Sequence, residues 1–500
     1  MMSEQPERFD LCVIGGGPAG YAAAMRAIDL EKKVVLIERD KIGGAGIYNG
    51  ALSSKTLWEL SNKVANVNEV ISTRLQDKVE LSWKEITSTL NEAIFERKYQ
   101  YACHIKLLEN EMDHDLFRYE RGSGTLLDKH NVQITREGYE RTIYADNVIL
   151  ATGSRPRQLP DIKADEKIIL TSDGIDGLED HPESVVIVGA GVVGCEFATI
   201  FANFGKTKVY MIDRADRILP FEDTDVSTLI TKNLEKKGVT VHNRSSLERL
   251  EIKDGRVEYE ISDPDGNRQI LQVEKALLSI GRVPNVESLG LENAGVELTK
   301  TGSIAETDTQ TNIPNIYAVG DVSGHIMLVN MGEVEARHAV ERIFFDYVRP
   351  IRYDNVSTIM FLMPEVAAVG MNEMQARSQG IAHKVAKIDY SCIARAIAMR
   401  RTQGFFKIIV SDDEDMNILG MRAVGEHASS AIQAVALMIH SGIPAPTLAE
   451  LVHPHPSIIE GIQECVRMLL NKSIFKSSVF RDKLFCYSWK DGVETPLQVL

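Results

Sequence analysis

Short apolar runs, each followed by a glycine-rich turn and a helical pattern, organise the first part of the chain. The run from Asp10 to Ile14 predicts a buried strand, because it is short, almost wholly apolar and bounded by glycines. Apolar residues at helical spacing from Tyr21 to Leu30 then predict a helix, and Val34 to Ile37 predicts a second strand. This order of strand, turn, helix and strand is typical of a dinucleotide-binding unit.

The turn carries the chemistry expected of such a unit. Gly15, Gly17 and Gly20 form a G-x-G-x-x-G pattern, and Glu38 ends the second strand about 20 residues later. Glycines let backbone amides and the helix N-terminus approach a pyrophosphate, while the acid accepts hydrogen bonds from ribose hydroxyls. We therefore expect a dinucleotide at this turn.

The same pattern occurs a second time. Ser184 to Val188 predicts a strand, and Val209 to Ile212 predicts another that leads into Asp213. Between them lies a second glycine turn, made by Gly189, Gly191 and Gly194. Two such units imply two dinucleotides, most simply FAD at the first and NAD or NADP at the second.

The sequence distinguishes only partly between NAD and NADP. Asp213 offers a carboxylate to a ribose 2'-hydroxyl and would repel a 2'-phosphate, which favours NAD. Arg214 and Arg217 follow it, and their guanidinium groups are suited to a 2'-phosphate. NAD is the favoured nucleotide.

Composition limits the class of protein. With 500 residues, 44% of them hydrophobic and 25% charged, the chain should fold into several globular domains. It has no run of about 18 apolar residues and no N-terminal signal pattern, so we expect a cytoplasmic protein without a transmembrane segment. A formal net charge of -15 argues against nucleic acid as a partner.

The six cysteines suggest neither a metal site nor a redox pair. No C-x-x-C motif or metal-ligand spacing occurs among them, so no metal is expected. Most are interpreted as small buried residues, and a redox role for the last two is the weaker hypothesis because they are isolated. They are Cys12, Cys103, Cys195, Cys392, Cys465 and Cys486.

Three further segments carry a resemblance to a known family. Ala151 to Pro156, Ile280 to Asn285 and Asn315 to Asp321 resemble signatures of the class I pyridine nucleotide-disulfide oxidoreductases, most closely dihydrolipoamide dehydrogenase. The resemblance implies that Asp321 binds the flavin ribityl chain. It also places four other residues at the cofactors: Thr152, Gly153, Gly281 and Arg282.

The resemblance implies an α/β fold with two Rossmann-like dinucleotide-binding domains, for FAD and NAD(P), and an α+β C-terminal dimerisation domain. A homodimer is the expected assembly. The apolar spacing from Thr56 to Asn110 predicts two helices inside the FAD-binding domain. The expected boundaries are 1–155 and 288–345 for the FAD-binding domain, 156–287 for the NAD(P)-binding domain, 346–470 for the dimerisation domain, and 471–500 for a C-terminal tail of unknown role.

The segment from Gly43 to Lys55, GGAGIYNGALSSK, departs from the family pattern. In the family it carries two cysteines five positions apart, whose disulfide passes electrons from flavin to substrate. This chain has Gly46 and Ala51 at those positions, and neither can form a thiolate or a disulfide. Disulfide reduction is therefore not expected.

Four residues are expected to act in catalysis. In relatives, the counterparts of Lys55 and Glu196 pair beside flavin N5, where a cation stabilises the reduced flavin. His455 and Glu460 match the family's histidine and glutamate, which exchange protons with the thiols. Without thiols, His455 either donates a proton to another acceptor or helps to hold the dimer interface, and both interpretations stay open.

The resulting hypothesis is an FAD-dependent NAD(P)H oxidoreductase that passes electrons to a non-disulfide acceptor: a quinone, oxygen or a protein. One alternative is a soluble pyridine nucleotide transhydrogenase, which the stretch from Gly194 to Ala202 also resembles. Another is a catalytically retired relative that serves as a scaffold or dimer partner. The intact Lys55, Glu196 and Asp321 argue against the scaffold.

Overall fold

The computed structural model describes residues 6–71, 78–110 and 116–497. These residues divide into two compact units. The first unit comprises the described residues within 1–182, 251–257 and 274–351, and the second comprises those within 183–250, 258–273 and 352–500. The four-part division expected from the sequence is finer than this one and stays a prediction.

A nine-stranded sheet forms the centre of the first unit. Glu7–Ile14 lies between Val34–Glu38 and Tyr139–Leu150 and is parallel to both, with Leu11 opposite Val34 and Asn147. The helix between the first two strands is Pro18–Asp29, so the predicted strand, helix and strand are confirmed. The other strands of the sheet are Phe117–Arg121, Ser123–Leu126, Asn131–Arg136, Glu306–Thr307, Gln310–Thr311 and Ile316–Ala318.

Helices cover this sheet, and its central strands are apolar on both faces. Leu11, Cys12 and Val13 are completely buried, as a parallel strand between two layers requires. The two helices predicted between Thr56 and Asn110 are present as Ala51–Ile71 and Trp83–Asn110. The remaining helices of the unit are Gly44–Ile47, Leu291–Ala294 and Val329–Phe344, with single 3₁₀ turns at Ile175–Gly177 and Gly320–Val322.

Two further strand pairings lie within the first unit. Ser154–Pro156 pairs antiparallel with Arg282–Pro284, which brings two of the flavoprotein signatures together. Ile169–Leu170 pairs parallel with Lys275–Leu278.

The second unit contains the second predicted nucleotide fold. Ser184–Val188, Lys208–Ile212 and Thr240–His242 are parallel neighbours, as the recurring pattern predicted. The helices are Val192–Phe204 and Thr224–Lys236. Three further strands span Ser246–Lys253, Arg256–Ser262 and Arg268–Val273.

A seven-stranded antiparallel sheet forms the rest of the second unit. Its last two strands come from the C-terminal tail: Leu484–Lys490 pairs with His383–Asp389, and Val493–Pro496 pairs with Leu484–Lys490. The C-terminal tail therefore packs on this sheet through residue 497. The other strands are Ser357–Met360, Val366–Gly370, Phe405–Ser411 and Ile418–Val424, and the helices are Glu373–Ser378, Ala394–Ala398, Ala428–Ser441, Pro446–Glu450 and Glu460–Leu469, with a 3₁₀ turn at Tyr390–Cys392.

All six cysteines are free. Cys12, Cys195, Cys465 and Cys486 are buried, which agrees with their interpretation as packing residues. Within the described ranges, no helix is both long enough and apolar enough to span a bilayer.

Candidate functional site

The first glycine turn builds an anion site at the start of the helix Pro18–Asp29. Gly15 has a φ of +109°, and a Cβ on it would collide with the carbonyl oxygen of Ala151. A Cβ on Gly20 would collide with the carbonyl oxygen of Gly15. A Cβ on Gly17, in contrast, would meet nothing within 4 Å. Gly15 and Gly20 thus permit the tight turn, and Gly17 leaves open space where a phosphate can approach the helix N-terminus.

Glu38 is fixed beside this turn by backbone donors. Its Oε2 accepts a hydrogen bond from the N–H of Gly16 at 2.6 Å, and its Oε1 accepts one from Asp40 at 2.7 Å. Each carboxylate oxygen keeps lone pairs for further donors, such as ribose hydroxyls. Its role as a ribose-binding residue stays a prediction.

A cavity of about 510 Å³ extends from this turn. Besides Gly15, Gly17 and Glu38, its lining includes Thr152, Gly153, Asp321 and Arg282. One wall is a charged cluster in which Ser154 Oγ donates to Asp321 Oδ2 at 2.5 Å and accepts from Arg282 Nε at 2.7 Å. Asp321 and Arg282 are 3.9 Å apart. The cluster holds the Asp321 carboxylate on the cavity wall.

Backbone and side-chain hydrogen bonds join the signature segments behind this cluster. Thr152 Oγ1 donates to the carbonyl of Asn285 at 2.6 Å, and the N–H of Asn285 donates to the carbonyl of Gly153 at 2.9 Å. Gly281 has a φ of +101°, and its carbonyl accepts from the N–H of Arg157 at 2.9 Å. The predicted cofactor residues of the first unit are thus brought together in one place.

The segment that carries Gly46 and Ala51 forms another wall. Gly46 and Ala51 both line the cavity, and no cysteine is among the described residues that do so. A Cβ on Gly46 would collide with the ring of Pro18. The space that a side chain at position 46 would need is therefore already occupied.

Lys55 and Glu196 lie in different units. Lys55 is half-buried in the first turns of the helix Ala51–Ile71, and its Nζ donates to Ser54 Oγ at 3.3 Å. Glu196 is only 5% exposed, and its Oε1 accepts from the N–H of Phe361 at 3.0 Å. Their pairing beside a flavin stays a prediction.

The glycine turn of the second unit repeats the geometry of the first. Gly189 has a φ of +103°, and a Cβ on Gly191 would meet nothing within 4 Å. Gly194 is buried in the first turn of the helix Val192–Phe204. Asp213 accepts from the N–H groups of Ala190 at 2.6 Å and Ala215 at 2.8 Å. Asp213 is therefore held in the same way as Glu38.

The two arginines after Asp213 differ in their surroundings. Arg214 is exposed, whereas Arg217 donates from Nη2 to the carbonyl of Pro220 at 3.0 Å. Of these two arginines, Arg214 is the one with an exposed side chain.

His455 and Glu460 form the expected pair. His455 Nδ1 lies 2.8 Å from Glu460 Oε1, and Glu460 Oε2 accepts from the N–H of Ser457 at 2.8 Å. Partial burial raises the pKa of Glu460, but the hydrogen bonds from Ser457 and His455 outweigh it, so the net pKa is lowered. Glu460 therefore stays ionised and orients an imidazole that is 71% exposed.

Flavin dinucleotide suits the residues of the first unit. The open space at Gly17 admits a pyrophosphate, and Glu38 presents fixed acceptors for a ribose. Asp321 presents a carboxylate to the same cavity. These residues would hold the phosphate, ribose and ribityl groups of FAD.

Comparison with protein families agrees with this geometry. Residues 9–336 match the model of the pyridine nucleotide-disulphide oxidoreductases, and residues 356–466 match the dimerisation domain of the same family. The chain belongs to the pyridine nucleotide-disulphide oxidoreductase family. As a member it is an FAD-dependent oxidoreductase that uses a pyridine nucleotide, and it carries the family's dimerisation domain.

Relatives of this oxidoreductase extend over nearly the whole chain. It is 31% identical over 484 residues to the dihydrolipoyl dehydrogenase of Bacillus subtilis, covering 95% of this chain and 99% of the relative. It is 32% identical over 458 residues to the dihydrolipoyl dehydrogenase of Chlamydia pneumoniae, covering 91% and 95%.

Solved structures share the fold of this oxidoreductase. LpdA from Mycobacterium tuberculosis has a TM-score of 0.84 and 26% identity, covering 93% of this chain and 99% of that one. The Cu(II) complex of the HOCl-induced flavoprotein disulfide reductase RclA from Escherichia coli has a TM-score of 0.81 and 25% identity, covering 93% and 100%.

Sequence reasoning missed three side chains of this oxidoreductase's cavity region. Ser154 hydrogen bonds with both Asp321 and Arg282. It lies inside a signature segment in which only Thr152 and Gly153 were predicted to bind a cofactor. Asp173 lines the cavity, and Asp176 lies close to Ser53 and Asn49 in the segment that carries Gly46 and Ala51. No spacing rule marks these two acids, because their environment depends on chain segments more than a hundred residues away.

Proposed function

We propose that this protein is an NAD(P)H oxidoreductase that passes electrons through FAD to a non-disulfide acceptor. The observation that carries the proposal is the cavity wall at Gly46 and Ala51, together with the absence of any cysteine among the described residues that line the cavity. A reduced flavin in this cavity would have no cysteine pair on the cavity wall to which it could pass its electrons. A quinone, oxygen or a protein is the class of acceptor that can take them.

The other cysteines support this proposal, because their surroundings disfavour thiolates. Burial raises the pKa of the Cys12 and Cys195 thiols far above the ordinary value, and both side chains are completely buried. Burial also raises the pKa of Cys486 to about 12. A thiol must ionise to act as a nucleophile or redox partner, so these positions suit packing.

The four predicted catalytic residues have proposed roles around the flavin. Bound FAD would supply the two-electron relay between the nicotinamide nucleotide and the acceptor. Lys55 would stabilise negative charge beside that relay, and Glu196 would orient Lys55. His455, with Glu460 hydrogen bonded to its Nδ1, would exchange a proton with the acceptor.

NAD is the proposed nucleotide. The Asp213 carboxylate, fixed by two backbone donors, would accept hydrogen bonds from a ribose 2'-hydroxyl and would repel a 2'-phosphate. Arg217 is engaged by the carbonyl of Pro220, which leaves Arg214 as the side chain with which a 2'-phosphate could pair. The functional form is proposed to be a homodimer, which the matched dimerisation domain supports.

The test is anaerobic reduction of the FAD-loaded protein, followed by absorbance. A thiolate next to oxidised flavin gives a long-wavelength charge-transfer band, and the proposal expects none. It also expects no turnover with dihydrolipoamide or with glutathione disulfide, but turnover of NADH with a soluble quinone. A clear long-wavelength band, or disulfide turnover, would overturn the proposal. Turnover with a nicotinamide analogue alone would favour a transhydrogenase.

A further inference from the structure

The tail loop, residues 471–483, lies between the helix Glu460–Leu469 and the strand Leu484–Lys490 of the second unit. It lies beyond residue 466, where the match to the family's dimerisation domain ends. The tail loop is therefore a feature that the matched family models do not cover.

Four large apolar side chains of the tail loop are exposed to solvent. Ile474 is 69% exposed and Val479 is 72% exposed. Phe475 and Phe480 are 38% and 40% exposed, and their rings meet edge to face with centroids 5.9 Å apart. Because folding normally removes such side chains from water, a cluster of them at the surface indicates a binding surface.

Hydrogen bonds to a buried carboxylate hold the start of the loop in this shape. Glu464 is 5% exposed, and its Oε1 accepts from the N–H groups of Ile474 at 2.9 Å and Phe475 at 3.2 Å. Ser473 Oγ donates to the same oxygen at 2.5 Å. The backbone that presents the apolar side chains is therefore fixed to the body of the second unit.

The tail loop is basic, although the chain as a whole has a formal net charge of -15. Four basic residues and one acidic residue give the loop a formal charge of +3; they are Lys472, Lys476, Arg481, Lys483 and Asp482. The charge stays positive when the adjoining carboxylates of Glu450, which pairs with Lys472, and of Glu464 are counted with the loop. Positive charge thus accompanies the exposed apolar side chains.

We propose that the tail loop is a docking surface for an anionic lipid bilayer. Its basic side chains attract anionic headgroups, and its apolar side chains enter the boundary between headgroups and acyl chains. A protein partner would need pockets shaped for Ile474 and Val479, whereas a bilayer accepts side chains this exposed without a matching surface. The inference does not rest on the proposed function, although docking would bring the flavoprotein to the layer in which membrane quinones dissolve.

Cosedimentation of the FAD-loaded protein with lipid vesicles tests the docking. One set of vesicles contains phosphatidylglycerol and phosphatidylcholine in equal parts, and the other contains phosphatidylcholine alone. Binding to the mixed vesicles should be tighter by at least about tenfold, and it should weaken as the salt concentration rises. No binding to the mixed vesicles, or equal binding to both sets, would overturn the inference.

Two double variants separate the apolar and the basic contributions. Ile474→Ser with Val479→Ser should weaken binding to the mixed vesicles by at least about tenfold. Lys476→Gln with Arg481→Gln should weaken binding and reduce its dependence on salt. Ile270→Ser changes a 60% exposed isoleucine elsewhere in the same unit and should bind as the wild type does. If only the basic variant weakens binding, the apolar side chains do not enter lipid, and an acidic protein is the better partner.

All of these side chains are exposed, so thermal unfolding and FAD content should match those of the wild type.

A fluorescent probe measures insertion directly. Mixed vesicles with brominated acyl chains should quench the added fluorescence of Val479→Trp and leave that of Ile270→Trp unchanged. Equal quenching at the two positions would contradict insertion of the tail loop. Analytical ultracentrifugation of the Ile474→Ser, Val479→Ser protein tests whether a second copy of the chain covers the loop instead. Its mass should equal that of the wild type, and a lower mass would overturn the inference.

Discussion

Gly46 is the residue on which the account depends most. A side chain at this position would collide with Pro18, the first residue of the helix at the glycine turn. The packing around position 46 thus leaves no room for a larger side chain.

The packing at Gly46 can be tested directly. Gly46→Ala should lower the stability of the FAD-loaded protein by about 1–3 kcal/mol, because the new methyl group must displace the Pro18 ring. Thermal unfolding measures the change, and Ala45→Ser is the control at the adjacent exposed position. A Gly46→Ala protein as stable as wild type would show that the space is open.

Glu196 provides a second test at the scale of the residue. Glu196→Gln removes the charge that is proposed to orient Lys55, so flavin reduction by NADH should slow by roughly tenfold or more while FAD stays bound. Stopped-flow absorbance measures the rate, and Glu235→Gln changes an exposed glutamate of the same unit as a control. Unchanged reduction kinetics would remove the proposed role.

The structure reveals a role for the C-terminal strand Leu484–Lys490, which the sequence left open. It pairs along the strand His383–Asp389, and its Trp489 stacks on His383 with ring centroids 5.3 Å apart. Trp489 is 8% exposed, whereas Phe485 on the same strand is 40% exposed. The tail therefore belongs to the core of the antiparallel sheet.

Trp489→Ala should destabilise the protein by about 3 kcal/mol, because it removes a large buried side chain. Phe485→Ala is the matched control on the same strand and should cost much less. Thermal unfolding measures both, and flavin reduction by NADH should be unaffected. Equal stability of the two variants would show that the buried Trp489 side chain does not stabilise the sheet.

Both nucleotide folds could be predicted from the sequence, since short apolar runs, glycine turns and terminal acids act through local rules. The helices Ala51–Ile71 and Trp83–Asn110 could also be predicted from their apolar spacing. The place of the tail could not, because pairing with His383–Asp389 depends on an edge about a hundred residues earlier in the chain. Asp176 was missed for the same reason: its carboxyl group lies beside Asn49 and Ser53, more than a hundred residues earlier in the chain.

At the scale of the whole molecule, the account predicts a homodimer. Residues 356–466 match the family's dimerisation domain, and the chain has a mass of 55.6 kDa. Analytical ultracentrifugation of the FAD-loaded protein should therefore give a mass of twice that value across micromolar concentrations. A monomer at those concentrations would contradict this prediction.

The most direct test of the central claim is anaerobic double-mixing stopped-flow. The FAD-loaded protein is first mixed with NADH or NADPH and then with lipoamide, a soluble quinone, oxygen or a nicotinamide analogue in separate runs. The account predicts rapid bleaching of the flavin without a long-wavelength band, followed by recovery with the quinone or oxygen and none with lipoamide. Recovery with lipoamide, or no bleaching by either NADH or NADPH in protein that retains its FAD, would contradict it.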